Sequence, residues 1–193
     1  MGNVLKVFFR TVFFGLLLTG CLAPAPSPPK SWMVGATRNA NTELMADRIA
    51  RIGSVTVVAP YDRPALAVKR SDGSVAFDSF NVFASSPSAL LRAPLTVLLE
   101  NDGRFGRVLP YASAARADRT LEAVVTELFL DCREEGSRIA RVSLSIAVVE
   151  NREIRMFLDG VGFADAASGD YSAAFSEAFA KAVSGAMKGM PEK

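Results

Sequence analysis

Between positions 120 and 164 the chain alternates with the period of a β-strand. Val142, Leu144, Ile146 and Val148 fall on one parity and Ser143, Ser145 and Ala147 on the other, so one face is buried and one is polar or lightly covered. Three such stretches, 120–132, 138–150 and 154–164, are separated only by Glu134-Glu135-Gly136-Ser137 and by Glu150-Asn151-Arg152-Glu153. Connections this short predict an antiparallel three-stranded meander. Upstream, the β-branched run Val55-Thr56-Val57-Val58-Ala59 ends at Pro60 and reads as a buried strand. Residues 66–70 and 75–78 flank Ser71-Asp72-Gly73-Ser74, and Asp-Gly supplies the positive backbone angles of a tight hairpin turn. Residues 80–83 alternate again, and Trp32-Met33-Val34 is a first strand; 38–51 is polar and reads equally as helix or loop.

The period changes to that of a helix after Asp170. Tyr171, Ala174, Phe175, Ala178, Phe179, Ala182, Val183, Ala186, Met187 and Met190 recur at spacings of three and four. Asp170 or Ser168 suits its start and Lys188-Gly189 its end. The polar stripe of this helix, Ser172, Ser176, Glu177, Lys181 and Ser184, is not basic enough for an anionic lipid surface, so the apolar stripe is assigned to packing across a sheet. A shorter helix starts after Ser86-Pro87 or restarts at Pro94, with Leu95, Leu98 and Leu99 on one face and Asp102-Gly103 as its stop. The pattern as a whole predicts an α+β fold: a mostly antiparallel β-sheet with a strand hairpin, a three-stranded meander and two main helices packed on one face.

The N-terminus follows another rule. Lys6 and Arg10 precede an apolar run from Thr11 to Leu18, and Thr19-Gly20-Cys21 follows it. This is the order of a secretory leader. A spanning helix is disfavoured because the uncharged stretch before Lys30 is broken at Pro24, Pro26, Pro28 and Pro29. Leu18-Thr19-Gly20-Cys21 resembles a lipobox, which implies cleavage after Gly20 and a diacylglyceryl, fatty-acylated cysteine at Cys21. Two or three acyl chains, palmitate among them, at about 0.8 kcal/mol per buried methylene would hold the domain at a membrane. Leu22 rather than Asp after the cysteine favours the periplasmic side of the outer membrane over the inner membrane. The organisation read from the sequence is therefore a signal peptide at 1–20, a lipidated cysteine with a Pro-rich tether at 21–31, and a single periplasmic domain at 32–190.

That division changes the meaning of the charge. The 193 residues carry 22 basic and 20 acidic side chains, a formal +2, and the leader holds two of the basic ones and no acidic one. Without it the charge balances, and no Lys/Arg cluster marks a nucleic-acid surface. Histidine is absent from the chain and only two cysteines occur. These counts exclude a Ser-His-Asp triad, a Cys-His pair and His- or Cys-built zinc sites. No catalytic, cofactor or metal residue is assigned, and the chain is read as a non-enzyme. Glu127 and Asp131 share a strand parity, and a satisfied charge on the solvent face explains them better than catalysis; Glu134-Glu135 reads as a solvated turn. Cys132 reads as a small core residue, with a reactive thiol as the alternative.

The ordered set of Val55-Thr56-Val57-Val58-Ala59-Pro60, Arg63-Pro64 before Val68-Lys69-Arg70, Ala93-Pro94-Leu95 with Leu98-Leu99, the strand 121–131 and the terminal Tyr171-Ser172-Ala173-Ala174-Phe175 helix resembles the ABC-type transport auxiliary lipoprotein component family, the PqiC-like lipoproteins. The resemblance runs from Trp32 to Met187, with Leu91 where such proteins commonly carry tryptophan. It implies a non-catalytic partner of a periplasmic MCE-domain protein that works with an ABC permease and ATPase on lipids or other hydrophobic molecules. Self-association stays open. Two alternatives stand beside it: a lipid carrier with a cavity lined by Phe129, Phe157, Phe163, Phe175 and Phe179, and a general structural outer-membrane lipoprotein.

Overall fold

The computed structural model describes residues 27–39 and 48–191. The elements run β1 (Lys30–Trp32), β2 (Ile49–Val57), β3 (Ala65–Arg70), β4 (Val75–Phe83), α1 (Pro87–Leu90), α2 (Arg92–Asp102), β5 (Arg107–Leu109), β6 (Arg119–Cys132), β7 (Ile139–Glu150), β8 (Glu153–Asp165) and α3 (Tyr171–Met187). The fold is α+β, with all described strands in one eight-stranded mixed sheet.

The predicted meander is present: β6, β7 and β8 pair antiparallel in sequence order, in registers that run from Thr120↔Val149 to Asp131↔Ile139 and from Ile139↔Asp165 to Glu150↔Glu153. The β3–β4 hairpin turns at Gly73, whose φ of 81 is the left-handed conformation the Asp-Gly pair was expected to supply. The parallel pairings went unseen in the sequence. β6 carries β7 along one edge; along the other it carries β2 beside its first half and β3 beside its last residues, both parallel to it. The sheet therefore forks, one limb closing with β5 on β2 and the other with β4 and then β1 on β3. Val58–Pro64 spans the fork, and its Ala59–Pro60 bond is cis.

Several boundaries differ from the sequence reading. β1 occupies Lys30–Trp32, so pairing with β4 begins inside the stretch read as tether. Ile49, Ala50 and Arg51, read as helix or loop, start β2, because Ala50 and Ile52 are buried beside β6. The short helix does not start afresh at Pro94. α1 starts at Pro87, and α2 follows Leu91, with Pro94 in its first turn where no intrahelical N–H is needed. The Ser86 side chain makes no capping bond; Asp62 instead accepts from the Ser88 N–H and hydroxyl, both at 2.9 Å.

Both main helices lie on the same face of the sheet. α3 crosses β8 and β7, and its N-terminus is capped by Asp170, which accepts from the Ala173 N–H at 3.0 Å. Leu95 and Leu99 of α2 join Phe175, Phe179, Val142, Leu144 and Ile146 in one apolar core. The contact between α3 and β8 needs glycine: a Cβ on Gly160 would stand 1.9 Å from the Ala182 carbonyl oxygen, and one on Gly162 1.9 Å from that of Ala178. Ala178, Ala182 and Ala186 supply the matching small residues on the helix. Trp32 anchors the other limb, with its ring 4.1 Å from Phe83 and stacked 5.3 Å from Phe175.

Candidate functional site

Among the described residues no helix covers the second face of the sheet, and its side chains follow from the register. Phe163, Arg141 and Phe129 form one row across β8, β7 and β6, and Val161, Ser143 and Glu127 form the next. Glu127 is the hub. One of its carboxylate oxygens accepts from Arg141 Nε at 2.6 Å and from the Ser143 hydroxyl at 2.7 Å. The guanidinium of Arg141 lies 5.0 Å from the Phe163 ring centroid and 6.0 Å from that of Phe129. Lys69 sits 5.2 Å over Phe129, and Tyr61, from the segment spanning the fork, stacks on the same ring at 5.9 Å. This cover explains why Phe129 is only 1% exposed although no described helix packs on it.

The electrostatics favour a fixed ion-pair cluster over a reactive one. Burial pushes the Glu127 carboxyl upward, but the hydrogen bonds from Ser143 and Arg141 and the charges of Arg141 and Lys69 outweigh it and hold the group below its ordinary value. Tyr61 is raised, first by burial and then by the charge of Glu127. Asp131 is lowered mainly by its hydrogen bonds to Arg133, which reach 2.5 Å. Glu127 and Asp131 thus share the outer face, as their parity predicted, and each is spent on an arginine.

The remaining character of this face is apolar. Phe157, Val161 and Phe163 lie along the outward side of β8 at 63%, 47% and 46% exposure, and Val124 on β6, one strand further across the sheet, is 38% exposed. Phe157 and Val161 flank the exposed Asp159, so the outward side of β8 mixes apolar and acidic side chains. β8 pairs only with β7 among the described strands, so its other edge is open. Two hollows are present among the described residues. One of about 270 Å³ separates α2 from α3 at Leu98 and Val183, and one of about 550 Å³ lies under Pro60 and Pro64 at the fork.

Cys21, the residue assigned to lipidation, lies outside the described residues. Cys132 ends β6 as a half-buried free thiol, and burial pushes its pKa up, the direction that keeps it protonated. The five phenylalanines proposed to line a lipid cavity are split by the sheet. Phe175 and Phe179 are buried under α3, while Phe129, Phe157 and Phe163 belong to the opposite face, so they line no common space. Sequence reasoning missed Tyr61, Lys69, Arg141 and Ser143. The polar parity of β7 held the signal for the last two, but only the β6–β7 register sets them against Glu127.

No protein-family model matches the chain, and no curated protein matches it in sequence. Solved structures do match in fold. Protein XCC0632 from Xanthomonas campestris, assigned to the family model DUF330, superposes with a TM-score of 0.61 at 15% identity, over 80% of this chain and 87% of its own. A second crystal structure, of an uncharacterized protein, gives a TM-score of 0.64 at 12% identity, over 86% of this chain and 100% of its own.

Proposed function

We propose that this chain is a non-catalytic lipoprotein that serves as an auxiliary component of an ABC/MCE-type transport system. In this reading Cys21 is acylated and tethers the domain on the periplasmic side of the outer membrane. The domain docks an MCE-domain protein that works with an ABC permease and ATPase on lipids or other hydrophobic molecules. The observation that carries the reading is a meeting of two likenesses. The sequence resembles the PqiC-like auxiliary lipoproteins, and the fold is shared with a protein of DUF330, the family model of that group. The outer face supports a binding role: its central carboxylates are neutralised by Arg141 and Arg133, and an apolar row stands beside them.

Affinity purification from solubilised membranes of the native host, with the tag at the C-terminus and Cys21 intact, tests the reading. An MCE-domain protein with its permease and ATPase is the expected company. Recovery of the chain from the outer membrane with none of these subunits overturns the transport role. Cys21→Ser is expected to move the chain from the membrane to the soluble periplasmic fraction.

A further inference from the structure

The open edge of β8 is not uniform. The Ala166 N–H donates to the Arg138 carbonyl at 2.7 Å, in step with the β7–β8 register, so even-numbered residues of β8 turn their backbone groups toward β7. Phe157, Asp159, Val161 and Phe163 then present N–H and C=O groups to the free edge. The Lys181 ammonium confirms the parity by donating to the Phe163 carbonyl at 3.1 Å. That contact also closes the edge at its upper end, as a lysine guarding an edge strand does. At the lower end Arg155 is an extra residue opposite the Val148–Val149 step, and such a bulge ends regular pairing. Between these two stops lies a short window, Phe157 to Val161, whose edge-facing backbone groups are unguarded among the described residues.

The side chains over the window are equally specific. Phe157 and Val161 are exposed on the outer face on either side of Asp159. The other acidic residues of β8 are engaged, Glu153 with Arg155 at 3.3 Å and Asp165 with the Ala167 N–H at 2.9 Å. Asp159 engages no cation and no N–H among the described residues. An unpaired carboxylate between two exposed apolar side chains, on a strand edge of open donors and acceptors, is complementary to a strand of matching pattern.

We propose that the β8 edge from Phe157 to Val161 docks an extended segment of a partner protein that carries a basic residue opposite Asp159 and apolar residues two positions to either side. Main-chain pairing supplies the attachment and the side-chain row supplies the register. The inference deepens the binding role proposed above and does not depend on which system the partner serves.

The test places photoreactive benzoylphenylalanine at Val161 of the full-length chain in its native host and maps the cross-linked peptide by mass spectrometry. The expected product joins β8 to an extended segment with a Lys or Arg flanked at two positions by apolar residues. Asp159→Lys is expected to lower its yield at least about ten-fold by setting like charges together, and Asp159→Glu to keep it. Reversing the partner's basic residue to Glu is expected to restore the yield of Asp159→Lys. Asp159 is on the solvent face, and unchanged thermal unfolding of both variants separates lost docking from lost folding. A cross-link to lipid, to a second copy of this chain or to a helix overturns the proposal, as does no cross-link at all. Transporter subunits that co-purify without a β8 cross-link sink the docking strip alone. A cross-link to a strand of an unrelated protein keeps the strip and sinks the transport role.

Discussion

The two faces of β8 are built from alternate residues of one strand and obey opposite rules. The inner face, Leu158, Gly160, Gly162 and Ala164, is buried against α3 and carries no polar side chain. The outer face, Phe157, Asp159, Val161 and Phe163, is exposed and mixes aromatic, aliphatic and acidic groups. On the inner face the constraint is volume, because main chain meets main chain. On the outer face each side chain is free to change without disturbing the packing beneath it. The contrast teaches where stability and function are stored: a strand only 13 residues long holds the helix with one parity and offers a surface with the other.

Substitutions that follow this division sharpen it. Gly162→Ala has the largest expected effect. The new methyl meets the backbone carbonyl of Ala178, which cannot yield as a side-chain tip would, and about 3 kcal/mol of stability is expected to be lost in urea unfolding. A cost near zero would show that α3 is not seated as described. Arg141→Ala stands between the extremes. It leaves Glu127 with Ser143 and Lys69 but without its principal cation, and about 1 kcal/mol is expected at neutral pH because the pair is partly solvated. The folded-state pKa of Glu127 is depressed, so its contribution is fully present above the ordinary unfolded carboxylate value and is lost as pH falls through the folded value. Unfolding followed from pH 7 downward should show a smaller acid loss in Arg141→Ala than in the parent, and an identical loss would remove Arg141 from the account. Val161→Ser has the smallest expected effect on stability, within about 0.5 kcal/mol, since the side chain lies on the exposed face of β8. A large loss there would mean that the outer face is packed rather than offered.

The sequence was most legible where structure is local. The hairpin at Gly73, the β6–β8 meander and the α3 stripe depend on period, turn chemistry and caps within a few residues, and all three are where the pattern put them. The parallel pairings of β2 and β3 with β6 were not legible, because nothing near Ile49 or Ala65 specifies which distant strand will receive them. β5 was too short at three residues to register as a strand at all. The outer-face cluster failed for a related reason. Glu127 was noticed, and its partners were visible as polar positions of β7, yet a bulge between Val125 and Glu127 shifts the register that joins them. Tyr61 arrives from the fork, a geometry without periodicity.

The fork in the sheet also sets an order in time. β6, β7, β8 and α3 follow one another through short turns, so their contacts close small loops and cost little chain entropy. β2 reaches β6 only across a long loop: Ile49 donates its N–H to the Asp118 carboxylate from 69 residues away. The C-terminal half is therefore expected to assemble first, with β6 exposing a bare edge on which β2 and β3 condense later. Pulsed hydrogen exchange during refolding should protect amides in β6, β7 and α3 before those in β2, and simultaneous protection would argue for a single nucleus spanning the fork. During that interval the edge of β6 that will receive β2 and β3 is an unpaired template, and the time to cover it sets how readily newly made chains associate with one another.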